Sequence, residues 1–180
     1  MQGQNLLWRT RTYLIGHMQY ADGASWRDAI TPALSSMGIV VFDPYKKPFI
    51  RDVQEADATK EKLLEAQHNE EFVWLQKKMR EIRSFDLNLV DRSDFVIAHI
   101  HPTIASWGSG EELVTAVRMK KPTFISVEGG KQKCPLWIFG MFPHTDVYDS
   151  IEDVVVALRD IDNGSKEPDA RWRLLKKEFR

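Results

Sequence analysis

Short apolar runs alternate with longer amphipathic segments along the chain. The apolar runs cover residues 12–16, 39–42, 95–100, 122–127 and 146–148, and Gly, Pro or Asp bounds most of them. Runs of this kind are typical of buried strands. Apolar residues recur at helical spacing between the runs, and strands that alternate with helices predict a parallel sheet covered by helices on both faces.

The amphipathic segments predict several helices. Ser25 is placed to cap a helix over residues 25–37, which Gly38 ends. Further helices are expected over residues 59–83, 84–91, 136–141, 151–160 and 169–180. One more is expected to follow a glycine-rich stretch and to end at residue 120. Residues 44–58 form an irregular, charged connection. We therefore predict one domain over residues 1–162, with a long insertion at about 44–78, followed by a linker and C-terminal helix over 163–180.

A glycine- and serine-rich stretch after the third predicted strand carries the clearest chemical signal. Residues 106–116 have the sequence SWGSGEELVTA, which places Glu111 and Glu112 in the predicted first turn of the next helix. Backbone N–H groups at a helix start attract anions, and glycine lets a ligand approach the backbone closely. The stretch therefore predicts a site for a charged or polar small molecule. The structural alternative is that the two acids only complement the helix dipole.

The composition narrows the class of protein. The chain has 180 residues, and 25 Lys plus Arg against 26 Asp plus Glu give a net charge of −1. This balance lacks the basic field expected of a protein that binds polymeric nucleic acid. Cys134 is the only cysteine, so no intrachain disulfide forms and a cytoplasmic location is expected. No apolar run approaches the ~20 residues of a membrane span, so no membrane contact is expected.

Several polar residues lie near the ends of predicted strands. Tyr13 and His17 flank the end of the first strand, Asp43 ends the second, and the glycine-rich stretch follows the third. Open parallel sheets bind their ligands beyond the carboxyl ends of the strands. We therefore expect one crevice to gather residues that are far apart in the sequence.

Three segments, in order, resemble the nucleoside 2-deoxyribosyltransferases. Residues 13–18 (YLIGHM) resemble the first strand and loop of that family, and residues 86–98 (DLNLVDRSDFVIA) resemble its Asp-Leu-x-x-Ile segment and the following strand. Residues 108–116 (GSGEELVTA) resemble its nucleophile motif. The resemblance implies a flavodoxin-like or Rossmann-like three-layer sandwich with a five-stranded, mainly parallel sheet. It also implies cleavage of the N-glycosidic bond of a nucleoside or nucleotide, and no cofactor or metal is expected.

The resemblance assigns roles to three residues. Glu112 falls on the nucleophilic glutamate, Tyr13 on the tyrosine that steadies it, and Asp86 on the aspartate thought to protonate the departing base. The residue types suit this chemistry, because one carboxylate can stabilise or trap the developing sugar cation while a second acid protonates the leaving nitrogen. Each residue also has a structural interpretation: Glu112 as a first-turn acid, Tyr13 as a core residue and Asp86 as a helix-start residue.

Ser106 departs from the transferase pattern, which usually has an aspartate six residues before the nucleophile. Serine there resembles the related nucleoside 5′-monophosphate N-glycosidases, in which it helps to hold the phosphate. The change is chemically consistent, because a hydroxyl donates to a phosphate that an aspartate would repel. Other predicted substrate contacts are Gly16, His17, Asp43, Trp107, Gly108, Ser109 and Gly110, and further candidates for the phosphate are Arg27, Lys46, Lys47 and Arg51.

We therefore predict hydrolysis of a (deoxy)nucleoside 5′-monophosphate through Glu112. One alternative is a transferase that exchanges bases between deoxynucleosides. Another is a non-catalytic nucleotide-binding or sensing module. A relative acting on NAD-like dinucleotides ranks below both. The resemblance implies a homodimer or larger homo-oligomer, and apolar residues within 137–142 would suit either its interface or the core. His99 and His101 are assigned to packing or the crevice edge, since a histidine pair alone does not define a metal site.

Overall fold

Five parallel strands form the central sheet of the computed structural model, which describes residues 5–17, 24–46, 57–104 and 106–175, without the side chains of 57–59. The strands are β1 (Arg11–Gly16), β2 (Val40–Phe42), β3 (Phe95–Ile100), β4 (Thr123–Val127) and β5 (Val147–Tyr148). Their order across the sheet is β2-β1-β3-β4-β5, and every pairing is parallel. The predicted five-stranded α/β architecture is therefore confirmed.

Helices cover both faces of this sheet and bury the alternate sides of its strands. The described helices are α1 (Ser25–Ser36), α2 (Asp57–His68), α3 (Phe72–Arg92), α4 (Trp107–Arg118), α5 (Leu136–Met141) and α6 (Ile151–Asp162). Leu14 and Ile97 pack with α1 and α6, whereas Tyr13 and Val96 pack with α3, α4 and α5. The alternation follows from the two-residue period of a strand and gives one apolar core on each face.

The break predicted between residues 83 and 84 is wrong. Helix α2 ends at His68, Glu70 takes a left-handed backbone conformation with φ 58°, and α3 then continues without interruption to Arg92. Ser84 is therefore an exposed residue inside α3 rather than the first residue of a separate helix. Of the predicted insertion at 44–78, residues 47–56 lie outside the described residues, and α2 and the start of α3 occupy much of the remainder.

Two predicted helix starts are also corrected. Helix α1 is preceded by Ala24, which makes no side-chain capping bond, so Ser25 is its first helical residue. Helix α4 begins at Trp107 because Ser106 is extended and its hydroxyl accepts the N–H of Ser109. The glycine-rich stretch is thus the first turn of α4, and the two glutamates lie in the second turn rather than the first.

The C-terminal segment differs from the predicted terminal helix. Within the described residues it forms a short 3₁₀ turn at Arg173–Leu175, and residues 176–180 lie outside them. Trp172 and Leu175 are buried, and the Trp172 ring lies 5.1 Å from that of Phe95. The segment thereby adds apolar side chains to the core on the α1 and α6 face. None of the helices in the described ranges combines the length and hydropathy needed to span a membrane.

Candidate active site

The carboxyl ends of β1 and β3 lie side by side at the centre of the sheet. Gly16, the last residue of β1, is paired in register with His99 of β3. The chain leaves β1 toward β2 on one side of the sheet and later returns to β3 on the other side, which makes this the topological switch point. In open α/β sheets a ligand crevice forms at such a point.

Tyr13 and Glu112 form a hydrogen bond although 99 residues separate them in the sequence. The phenolic oxygen of Tyr13, a buried residue of β1, donates to Glu112 Oε1 at 2.8 Å. Glu112 itself is partly buried in the second turn of α4. The structure therefore brings together the residues predicted as nucleophile and as its steadying tyrosine, and the interpretation of Glu112 as a first-turn acid is wrong.

Asp86 lies in the interior of α3, where its side chain is largely buried. The structure rules out its interpretation as a helix-start residue, because α3 begins fourteen residues earlier, at Phe72. Helix α3 packs against α4, the helix that carries Glu112. Asp86 thus lies on an element next to the candidate nucleophile.

The first turn of α4 presents an open polar surface. Ser106 Oγ accepts the Ser109 N–H at 3.3 Å and lies 3.0 Å from the Ser109 hydroxyl oxygen. Among the described residues, a Cβ built on Gly108 or Gly110 would meet no atom of another segment within 4 Å, so the backbone is open there. Trp107 is 95% exposed, which leaves almost its whole ring free to contact another molecule.

The two adjacent glutamates of α4 have different partners. Glu111 forms a bidentate ion pair with Arg83 of α3, in which Arg83 Nε lies 2.7 Å from Glu111 Oε2. The hydrogen bond from Arg83 lowers the pKa of the Glu111 carboxyl. Glu111 is therefore held at the α3–α4 contact, whereas Glu112 points to Tyr13.

Arg27 forms part of the wall behind the end of β1. Its side chain is fully buried, and Nη2 donates to the carbonyl of Gly16 at 3.0 Å. The Nε atom lies 3.7 Å from Asp43 Oδ1. A Cβ on Gly16 would lie 3.0 Å from Trp26 Cζ2 and 3.1 Å from the His99 carbonyl, so a larger residue would require these neighbours to move by a few tenths of an ångström.

These positions alter the predicted set of polar contacts. Arg27 is placed in the protein interior rather than on a surface open to phosphate. Asp43 is likewise buried, and its Oδ1 accepts the backbone N–H of Tyr45 at 2.9 Å. Lys46 forms an exposed ion pair with Asp28. Lys47 and Arg51 lie outside the described residues.

Histidines occupy the rim where β1 and β3 end. The rings of His17 and His101 lie 5.7 Å apart in a T-shaped arrangement. His99 Nδ1 lies 2.8 Å from Ser126 Oγ, and its Nε2 lies 3.2 Å from Glu128 Oε2. Burial lowers the pKa of His99, and Glu128 partly opposes this. Within the described ranges, no group of three or more His, Cys, Asp or Glu side chains is arranged to hold a metal ion.

Sequence reasoning missed the buried role of Arg27 and the link from His99 to Glu128. The only sequence signal for the burial of Arg27 is its place next to Trp26, which lies on the apolar side of a predicted amphipathic helix. The second depends on the pairing of β3 with β4, which aligns His99 with Ser126. A single sequence does not specify that register.

Fold and site together define an α/β sandwich with a carboxylate at its switch point. No family model and no curated protein sequence matches the chain. Among solved structures, it is similar to the 2-deoxyribosyltransferase of the psychrotolerant bacterium Bacillus psychrosaccharolyticus, with a TM-score of 0.57 and 15% sequence identity. The match covers 81% of this chain and 90% of that one. This chain therefore has a 2-deoxyribosyltransferase-like fold.

Proposed function

We propose that this protein cleaves the N-glycosidic bond of a (deoxy)nucleoside 5′-monophosphate and releases the base. The observation that carries the proposal is the 2.8 Å hydrogen bond from Tyr13 to Glu112 at the switch point of the sheet. It supports a carboxylate of fixed orientation at the place where this class of fold binds ligands. A glycosidic bond needs such a group on the anomeric face of the sugar.

In the first step, one oxygen of Glu112 attacks the anomeric carbon while the bond to the base breaks. The electron pair of that bond moves to the base nitrogen, which takes a proton from Asp86. The product is a glycosyl ester of Glu112, and the hydrogen bond from Tyr13 keeps the attacking carboxylate in a single orientation. Asp86 must be protonated at the start of this step to act as the acid.

In the second step, water attacks the anomeric carbon and gives its proton to the Asp86 carboxylate. The ester bond breaks, Glu112 leaves as a carboxylate and the sugar 5-phosphate is released. Both catalytic groups then have their starting protonation states. A free base that attacked in place of water would give base exchange through the same intermediate.

The first turn of α4 supports a phosphate-bearing substrate. Because one hydroxyl of the Ser106–Ser109 pair donates its hydrogen to the other, the second hydroxyl hydrogen of the pair remains for an outside acceptor. The accessible backbone at Gly108 adds an N–H donor at a helix start, whereas the Gly110 N–H donates to the Ser106 carbonyl at 3.1 Å. We assign the phosphate to this turn, the base to the neighbourhood of Trp107, and the crevice wall to Gly16, His17 and Asp43.

The second candidate is a 2-deoxyribosyltransferase that exchanges bases between deoxynucleosides. It is favoured by the similarity to the Bacillus psychrosaccharolyticus enzyme, whose name states this activity. The two candidates differ in the acceptor, which is water in one and a second base in the other. They also differ in whether the substrate carries a phosphate.

Chromatography of reaction mixtures tests the proposal. Deoxynucleoside monophosphates and deoxynucleosides are incubated with the protein, each with and without a free acceptor base. Base release from the monophosphates without an acceptor is expected, and Glu112→Gln should lower its rate by at least about 10³-fold. The matched control is Glu111→Gln, which should stay within a few-fold of the wild type because Glu111 pairs with Arg83.

Two results would contradict the hydrolase, and a third would contradict the role of Glu112. Exchange that strictly requires an acceptor base identifies the transferase. Nucleotide binding in calorimetry without any product identifies a binding module. Unchanged activity of Glu112→Gln removes the assignment of the nucleophile.

We also propose that the protein forms a homodimer or larger homo-oligomer through the face of α3, α4 and α5. The predicted apolar cluster divides in the structure, because Ile138 and Phe142 are core residues whereas Trp137 is 81% exposed. Exposed apolar side chains on these three helices include Phe72, Val73, Trp74, Trp107, Leu136 and Trp137. Large exposed apolar patches mark interaction sites. A light-scattering mass of one chain at assay concentration would contradict the assembly.

A further inference from the structure

Helix α3 is longer than the strand that follows it. Its 21 residues span about 31 Å, whereas the 6 residues of β3 span about 20 Å. Only Ser93 and Asp94 join the end of α3 to the start of β3, so the two elements begin at the same edge of the sheet and run side by side. The excess length of α3, roughly its first seven residues, therefore projects beyond the carboxyl ends of the strands.

The projecting part of α3 pairs with α2 and has almost no core of its own. Helix α2 packs against α3, and we call α2 together with residues 72–81 of α3 the α2–α3 hairpin. Over residues 60–81 only Ala66 is buried. Since helices in proteins are stabilised mainly by the packing of an apolar face, a hairpin with so little buried surface needs a further packing partner.

The apolar side chains of α3 show what kind of partner fits. Apolar residues at positions 72, 75, 79 and 82 are three, four and three residues apart, which is the spacing of a seam between two helices. Ile82, nearest the body of the molecule, is buried, whereas Phe72 is 59% exposed and Met79 is 44% exposed. The seam thus continues from the body into the hairpin, where α2 leaves much of it uncovered.

The exposed apolar surface of the hairpin is large enough for a stable contact. Its exposed apolar side chains are Leu64, Phe72, Val73, Trp74 and Met79. At about 150–250 Å² for a large side chain, their exposed fractions amount to roughly 400–700 Å² per copy. A standard interface buries about 800 Å² per partner, of which about 60% is apolar.

The charges of the hairpin are complementary to themselves when two copies run antiparallel. Residues 65–71 include three glutamates and no lysine or arginine, whereas residues 77–83 include four lysines and arginines and a single glutamate. Two antiparallel α3 helices that cross near Leu75 place each acidic segment beside the basic segment of the other copy. A parallel pair would place like charges together, which is unfavourable.

We propose that the α2–α3 hairpin packs antiparallel against the same hairpin of a second copy of this chain, with the two α3 helices crossing near Leu75. Phe72 and Met79 of each copy pack into the seam of the other. Lys78 and Arg83 already pair with Glu81 and Glu111, so Lys77 and Arg80 supply the cations for the other copy's acidic segment. The contact is isologous, as in a two-fold symmetric dimer. The inference rests on the proposed assembly, for which it names the contact, and is independent of the proposed reaction.

Light scattering and sedimentation of the full chain give the first test. The wild type should have a mass of two chains or an even multiple, and Phe72→Asp and Met79→Asp should each raise the dissociation constant of the pair by at least about tenfold. Both side chains are largely exposed, so the variants should keep the circular dichroism spectrum of the wild type. Trp137→Asp on α5 is the matched control, because it also places a charge on an exposed aromatic position and should leave the mass unchanged.

Charge reversal tests the antiparallel arrangement. Glu70→Lys combined with Glu71→Lys should weaken the pair by at least about tenfold, because each reversed segment then meets a basic segment. Adding Lys77→Glu and Arg80→Glu to the same chain should restore the wild-type mass. A merely structural effect of the first two substitutions would not be reversed by the second two.

Cross-linking with a short bismaleimide locates the crossing point. Gln76→Cys lies next to Leu75, so the two introduced thiols should be joined readily. Asn88→Cys lies twelve residues further along α3, which places the two thiols roughly 35 Å apart in an antiparallel pair. The wild type, whose single cysteine Cys134 is buried, is the blank.

Three results would overturn the inference. They are a wild-type mass of one chain, hairpin variants that keep the wild-type mass, and cross-linking of Asn88→Cys as readily as of Gln76→Cys. A mass that falls in Trp137→Asp but not in the hairpin variants would assign the assembly to α5 instead. Absence of base release would contradict the proposed reaction, while the masses and cross-links would still decide whether the hairpins pair.

Discussion

At the scale of single residues, the structure separates two acids that are neighbours in the sequence. Successive residues of an α-helix point about 100° apart, so Glu111 and Glu112 face different elements. Glu111 reaches Arg83 of α3, and Glu112 reaches Tyr13 of β1. Residue type alone does not distinguish them, and the distinction comes from which side of α4 faces the sheet.

His99 gives a prediction of pH dependence at the same scale. Burial holds the pKa of His99 below 6.5, so the unfolded chain binds more protons than the folded one at a pH just below 6.5. Protonation of His99 therefore favours the unfolded chain. The free energy of unfolding is unaffected by His99 well above pH 6.5 and decreases as the pH falls below 6.5. Thermal unfolding at pH 7.5 and 5.5 measures the effect.

His99→Gln, which does not titrate, supplies the comparison. Its melting temperature should fall less between the two pH values than that of the wild type, by about 1–3 °C. His101→Gln is the matched control, because His101 lies two residues further on at the crevice edge. An equal fall in wild type and His99→Gln would contradict the prediction.

At the scale of elements, helix α4 contains glycines where no packing requires them. Gly108 and Gly110 are helical, and within the part of the chain that the structure describes a Cβ on either would meet nothing within 4 Å. Alanine is favoured over glycine inside a helix by about 0.5–1 kcal/mol, so Gly108→Ala and Gly110→Ala should raise the melting temperature by roughly 1–4 °C. If phosphate approaches this turn, the added methyl groups should also raise KM by about tenfold or more.

Gly140 of α5 is the matched control for this pair of effects. It also lies in a helix with no atom within 4 Å of an added Cβ. Gly140→Ala should raise the melting temperature without changing KM. An unchanged KM in Gly108→Ala and Gly110→Ala would show that the substrate does not approach the first turn of α4.

The predictable elements are those with a local signal. Apolar runs locate the strands to within two residues, and Gly38, with φ 71°, ends the first helical segment as predicted. The start of α4 was misplaced because the capping bond of Ser106 outweighs the low helix propensity of two glycines. The burial of Arg27 was not predictable, since its partners come from the ends of β1 and β2 and are adjacent only after the sheet forms.

At the scale of the whole molecule, the last described residues pack against one face of the sheet. The Trp172 ring lies 5.1 Å from that of Phe95 and 6.1 Å from that of Phe124, on the neighbouring strands β3 and β4. Arg171 forms a hydrogen bond of 3.0 Å with Asp146, just before β5. The segment after α6 therefore connects to the sheet through apolar packing and an ion pair.

Trp172→Ala tests whether this segment stabilises the molecule as a whole. Replacing a buried tryptophan by alanine costs about 3–5 kcal/mol, which lowers the melting temperature of a chain of this size by about 10 °C. Val156→Ala is the control, because Val156 of α6 is 56% exposed and should change stability by less than about 0.5 kcal/mol. Equal melting temperatures for the two variants would mean that the C-terminal segment does not stabilise the core. A cooperative fall confined to Trp172→Ala would mean that strands β3 and β4, and with them the crevice at their ends, depend on residues far beyond the last helix.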